Sequence, residues 1–190
     1  MKKVLLPFIT VGWVVLAPTS FAALEDFTVS LSGAQETPVN TSPATGFGTM
    51  TFDTSAITLT LNNISYSGLT TNSTLAHIHG PGAPGVSAGV LYGMSPNFTT
   101  LGSTSGTFSG TLTLVAGTGG FSIAQQVSQL EGGLWYLNVH DANFPAGEIR
   151  GQILPIPEPS EMALLGLGTG ALICRRRRQI RWFLQRQTRA

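Results

Sequence analysis

Trp135-Tyr136-Leu137-Asn138-Val139-His140 places an apolar side chain at every second position and a polar-tipped one between. A period of two is the repeat of a pleated strand with one face turned toward a core. The same alternation recurs at Ile57, Leu59 and Leu61 around Thr58 and Thr60, and at Phe108, Leu112 and Leu114 among Thr and Ser. Gly, Asn, Ser and Pro punctuate these runs. Strands are therefore expected near 26–33, 45–53, 56–62, 63–69, 74–80, 87–93, 105–115, 134–140 and 147–154, each with one buried face. So many short strands in one stretch predict an all-β fold, an antiparallel Greek-key β-sandwich or flattened barrel. One segment departs from the pattern. Ile123, Val127 and Leu130 are spaced four and three apart and Gly132-Gly133 follow, which predicts a short helix over 122–131 closed by glycine.

Outside this region the two ends have a different character. Lys2 and Lys3 precede an apolar run from Val4 to Ala17, and Ser20-Phe21-Ala22 offers small residues where a signal peptidase reads. Residues 1–22 are expected to be a secretory signal peptide cut after Ala22. At the other end Pro157-Glu158-Pro159 leads into an apolar stretch, 162–174, and then Arg175, Arg176, Arg177 and Arg178. As a helix that stretch spans only ~20 Å against a hydrocarbon core of ~30 Å, a marginal transmembrane anchor. The arginines are costly to translocate and should stay cytoplasmic. The order of these three parts resembles the PEP-CTERM sorting tail, which a membrane-embedded exosortase is thought to remove. The expected divisions are a signal peptide at 1–22, a β-domain at 23–154, the tail at 155–178 and a basic extension at 179–190. That extension departs from the family, whose tails usually stop soon after the arginines.

The ends also carry nearly all the positive charge. The whole chain is +1, yet between 23 and 156 a single arginine, Arg150, stands against seven acidic residues, a net charge of −6. Phosphate binding needs clustered Lys and Arg, so nucleic acid is excluded as a partner of the exported domain. The one cysteine, Cys174, lies in the tail, so burial alone stabilises the domain.

All three histidines fall in two strings, His77-Ile78-His79-Gly80-Pro81-Gly82 and Asn138-Val139-His140-Asp141, the latter running on to Glu148-Ile149-Arg150. Residues two apart on a strand share a face. His77 and His79 can therefore converge while Ile78 enters the core, and His140 at the end of another strand completes a three-imidazole set suited to copper or zinc. Asp141 or Glu148 could orient a ligand ring. A purely structural use, with the rings bonded to loops rich in Gly and Pro, stands beside the metal reading. Arg150 and Glu148, two apart, read either as an edge ion pair or, for Arg150, as an anion guide. No Gly-x-Ser-x-Gly elbow, phosphate loop or Cys pair is present, so no catalytic residue is assigned.

Leu31-Ser32-Gly33-Ala34-Gln35-Glu36-Thr37-Pro38-Val39, Ala76-His77-Ile78-His79-Gly80-Pro81, Leu130-Glu131-Gly132, Tyr136-Leu137-Asn138-Val139-His140 and Phe144-Pro145-Ala146-Gly147-Glu148-Ile149-Arg150-Gly151-Gln152 together resemble the CHRD domain, named after chordin, across 26–154. Bacterial members are exported, and the family carries no firmly assigned activity. Ser67-Gly68-Leu69, the two histidine strings and the run from Ala146 to Ile153 are similar in order to Cu/Zn superoxide dismutase. That resemblance implies an Ig-like or superoxide-dismutase-like sandwich, with His77, His79 and His140 as copper ligands and Arg150 guiding the anion. The bridging and zinc-binding histidines and the disulfide cysteines of that enzyme are missing.

The expected protein is exported, briefly anchored in the inner membrane, processed by signal peptidase and exosortase, and released to the cell envelope, surface or extracellular matrix. There it acts as a non-enzymatic component whose partner is a polysaccharide or a matrix protein. The alternative is a copper-dependent, superoxide-dismutase-like oxidoreductase or metal-binding protein.

Overall fold

A computed structural model of the chain describes residues 23–97 and 102–157. The expected signal peptide, Glu158 and Pro159, the apolar stretch 162–174, the arginines 175–178 and the extension 179–190 lie outside the described residues. Among the described residues no helix is long and apolar enough to cross a membrane.

Among the described residues eight strands form, all paired antiparallel: β1 (Leu24–Ser32), β2 (Thr45–Asp53), β3 (Thr58–Ser67), β4 (Ser73–His79), β5 (Val90–Gly93), β6 (Gly106–Thr113), β7 (Tyr136–Asp141) and β8 (Ile149–Pro155). Hydrogen bonding runs unbroken through the order β5-β4-β7-β8-β1-β2-β3-β6. The two separate sheets of a sandwich are therefore replaced by one sheet that curls around its core. Its edges are drawn together by side chains. Val115, just past β6, donates its N–H to the Tyr92 hydroxyl of β5 at 3.0 Å. The turn Ser95–Asn97 follows a bond from Met94 N to Ala76 O of β4, and Asn97 Nδ2 donates to Ser109 O of β6. The connections are not all hairpins: the chain crosses from β3 to β4 at the far side of the sheet, and β6 returns to lie beside β3.

Alternation explains the core. Phe27, Val29 and Leu31 of β1, Met50 and Phe52 of β2, Leu59, Leu61 and Ile64 of β3, Ile78 of β4 and Leu137 and Val139 of β7 all point inward. Burying each such side chain contributes ~1.5–3 kcal/mol. The strands expected at 56–62 and 63–69 are one strand, β3. Asn63 takes a positive φ of 51° and the register to β6 shifts between Leu61 and Ile64, so the strand bulges where the sheet bends. The helix α1 (Ile123–Glu131) is as expected. Ser122 caps it in a reciprocal pairing with Gln125, and Gly132 ends it.

One expectation fails in a way that matters for the site. All six residues of β7 are buried, including the outward-facing Asn138 and His140, and so are Arg150 and Gln152 on β8. Loops lie over the outer face of β4, β7 and β8. Gln152 Nε2 donates to Gly82 O at 2.8 Å and Gly133 O at 2.7 Å, and Asn40 Nδ2 reaches Glu148 O at 2.9 Å. The covered face is a second, polar layer.

Candidate metal centre

Antiparallel pairing of β4 with β7 sets His77 opposite Asn138, His79 opposite Tyr136 and Leu75 opposite His140. This register puts the three imidazoles on the outer face and leaves Ile78 fully buried beneath them. One nitrogen from each of His77, His79 and His140 lies within 4.8 Å of the others. The convergence expected from the sequence is thus what the sheet builds.

Hydrogen bonds select the nitrogens that face one another. His79 Nδ1 donates to Ala88 O at 2.9 Å and His140 Nδ1 to Pro145 O at 3.0 Å, because a carbonyl can only accept. Each ring is thereby fixed as the tautomer with its lone pair on Nε2. His140 Nε2 lies 3.0 Å from His77 Nδ1, and His79 Nε2 is buried without any partner. An unpaired buried acceptor costs ~1–3 kcal/mol. Burial pushes all three imidazoles below their ordinary 6.5, for His79 and His140 against the opposing effect of the carbonyl bonds. With His140 in that tautomer, His77 Nδ1 donates to His140 Nε2. At neutral pH the rings are therefore uncharged, but of the nitrogens that face one another only His79 Nε2 lacks a partner. An ion would take the place of the His77–His140 bond, the His77 proton moving to its Nε2.

The donor set fits a small, borderline ion. Two nitrogens each ~2.0–2.1 Å from an ion can be ~3.0 Å apart at an angle near 90° but no more than ~4.2 Å apart at any angle. The pair at 3.0 Å already meets this, whereas a spacing of up to 4.8 Å exceeds the limit, so the rings must close before one ion reaches all three. Asp141 and Glu148, expected to orient a ring, do not; backbone carbonyls take that role. Asp141 instead accepts from Thr70 Oγ1, from Thr71 N and Oγ1, and from Phe144 N. Burial pushes the Asp141 carboxyl up, but its bonds to Glu148, Thr71, Thr70 and Phe144 outweigh this and hold it at about 2. Glu148 is raised, first by burial. It accepts from Ser42 Oγ and Thr70 N, which ties the loops flanking His140 to the sheet.

A family model for the CHRD domain matches residues 27–153. The chain belongs to the CHRD family. No curated protein and no solved structure matches it significantly. CHRD domains are typically extracellular or secreted, in agreement with an exported protein.

In this CHRD domain Arg150 does not serve as either reading of the sequence expected. Its guanidinium lies 3.4 Å from the centre of the Tyr136 ring and donates from Nη2 to Val86 O and Ala83 O. Tyr136 in turn stacks on His79, 4.9 Å away and 3° from parallel. The tyrosine ring therefore lies between the arginine and His79, while Asn138 lies between Arg150 and His77 in the sheet register. The ion pair with Glu148 is not formed, because that carboxylate is held by Ser42 and Thr70 instead. Tyr136 and the carbonyls of Ala88 and Pro145 were not singled out from sequence. The alternation put Tyr136 on the same face as His140, but only the β4–β7 register shows that it meets His79.

Proposed function

We propose that this CHRD module is an exported component of the cell surface or matrix that holds one copper or zinc ion at His77 Nδ1, His79 Nε2 and His140 Nε2. The observation carrying this reading is the buried, unpartnered His79 Nε2, close to two further imidazole nitrogens, with His79 and His140 already held by backbone carbonyls in the tautomer that leaves Nε2 for an ion. An ion would satisfy that atom, which no protein group does. Three neutral nitrogens leave an open position on the ion, and copper(II) should bind more tightly than zinc. The superoxide-dismutase-like reading loses its anion guide, since Arg150 sits behind Tyr136. The role is therefore metal binding in an exported domain rather than turnover. Delivery is by a signal peptide cut after Ala22. The tail Pro157-Glu158-Pro159, 162–174 and Arg175–Arg178 then tethers the domain at the inner membrane until an exosortase releases it, a reading supported by the order of those three parts.

The test is titration of the purified full-length protein with Cu(II) and with Zn(II), followed by calorimetry and, for copper, electron paramagnetic resonance. One equivalent should bind below micromolar concentration with a nitrogen-rich spectrum. His77→Ala, His79→Ala and His140→Ala should each weaken it at least ~10-fold. Failure to bind either ion at micromolar concentration, or binding indifferent to all three substitutions, would sink the assignment. For the tail, replacing Pro157-Glu158-Pro159 should trap the protein in the membrane fraction, and unchanged release would contradict the sorting step.

A further inference from the structure

The motif Leu31–Val39 is not used by the histidine site, yet it builds a feature of its own. A short turn at Gly33–Gln35 ends at Glu36, whose backbone N–H bonds Gly33 O at 3.2 Å, and the chain then folds over the outer face of β8. Glu36 is only 6 % exposed, and its Oε1 has no hydrogen-bond partner. It lines a cleft of about 200 Å³ with Arg150, Gln152, Val39, Pro84 and Ala34. The cleft is open to solvent on the side of Val39, which is 69 % exposed.

The chemistry of the walls narrows the ligand. Glu36 brings an unused acceptor, and Arg150 carries five N–H donors of which those bonded to protein carbonyls leave from Nη2. A cation seated on Glu36 would be opposed by the nearby guanidinium, and above about pH 7, where Glu36 is ionised, an anion seated on Arg150 would be opposed by the carboxylate. An uncharged molecule with a donor and an acceptor side by side satisfies both groups and leaves no charge alone. Adjacent ring hydroxyls have that pattern. Val39, Pro84 and Ala34 supply aliphatic wall for the C–H face of such a ring. The size agrees, since ~300–1,000 Å³ is usual for drug-sized ligands and this cleft takes one small ring.

We propose that the cleft is a binding site for a single neutral saccharide unit, with Glu36 accepting from one hydroxyl and Arg150 donating to its neighbour. An exported protein meets such units in extracellular polysaccharide. The open rim at Val39 lets a chain continue beyond the bound ring.

Saturation-transfer NMR and calorimetry on the full-length protein at about pH 8, above the Glu36 value of about 7, test this with glucose, galactose, mannose and N-acetylglucosamine, and with glucuronate and glucosamine as charged comparators. At least one neutral sugar should bind saturably with a Kd of roughly 1 mM, about what one small ring can supply. Glu36→Gln removes the carboxylate, and Val39→Trp, at an exposed position, fills the mouth without touching the core. Both should weaken binding at least ~10-fold, whereas His77→Ala should leave it unchanged, keeping this site separate from the metal centre. No saturable binding of any neutral sugar, binding that survives both substitutions, or tighter binding of either charged comparator would overturn the proposal.

Discussion

Glu36→Gln also makes a quantitative prediction about stability. Burial raises the Glu36 carboxyl from its ordinary 4.5 to about 7, against the opposing pull of the Thr37 backbone N–H and the Arg150 charge. Between those two values the folded protein holds a proton that the unfolded chain has lost, so stability must fall as pH rises through that window. The slope is about 1.4 kcal/mol per pH unit, and its integral comes to about 3 kcal/mol. The stabilising proton is fully present below pH 4.5 and gone once the pH exceeds 7. The histidines act in the opposite sense. Their lowered values stabilise the folded state above 6.5, and that contribution is lost as pH falls. The wild-type profile mixes the two, but the difference between wild type and Glu36→Gln isolates the carboxyl. Urea unfolding of both proteins at pH 4.5 and at about pH 9 should show the variant gaining about 3 kcal/mol relative to wild type at the higher pH. A difference that stays constant with pH to within about 0.5 kcal/mol would mean that Glu36 is not desolvated as the structure requires.

Copper binding should be flat with pH above 6.5 and fall off only at lower pH, because the depressed imidazoles give protons little chance to compete; a steep loss that begins above pH 6.5 in competition titrations would contradict neutral, buried rings. Arg150→Met removes two bonds to loop carbonyls and the cation on Tyr136, and should cost about 2–4 kcal/mol in urea unfolding. Copper affinity should change less than tenfold in that variant, whereas a larger loss would place the arginine at the ion. Gly147 has a φ of 133°, and a Cβ there would collide with the Asn138 side chain, so Gly147→Ala should destabilise by about 1–3 kcal/mol; a change under about 0.5 kcal/mol would show that the loop after β7 is looser than described.

Much of the fold was legible because it depends on local periodicity. The alternation at Trp135–His140 and Ile57–Leu61 marks strands, and the spacing of Ile123, Val127 and Leu130 with Ser122 before and Gly132 after marks the helix. Where prediction failed, the cause was non-local. The 56–62 and 63–69 runs merge because Asn63 adopts a positive φ that lets β3 bend in continuous pairing with β2 and β6. One curled sheet in place of two follows from hydrogen bonds between strands far apart in the chain, which no single segment encodes. Convergence of His77 with His79 needed only the pleat. Their meeting with His140 was an inference about pairing that the β4–β7 register bears out.

The sequence by itself determined which side chains share a face: a strand's pleat turns spacing of two into a common direction whatever surrounds it. It also set the charge, the cysteine-free core and the identity of the domain. Only the tertiary structure decided what lies over those faces. The loops that bury Glu36, His140 and Arg150 come from distant parts of the chain, and burial is what neutralises the imidazoles and leaves His79 Nε2 and Glu36 Oε1 without partners. Periodicity fixes direction along one strand. The desolvation that gives these groups their chemistry depends on what packs above them, and that is a property of the whole fold.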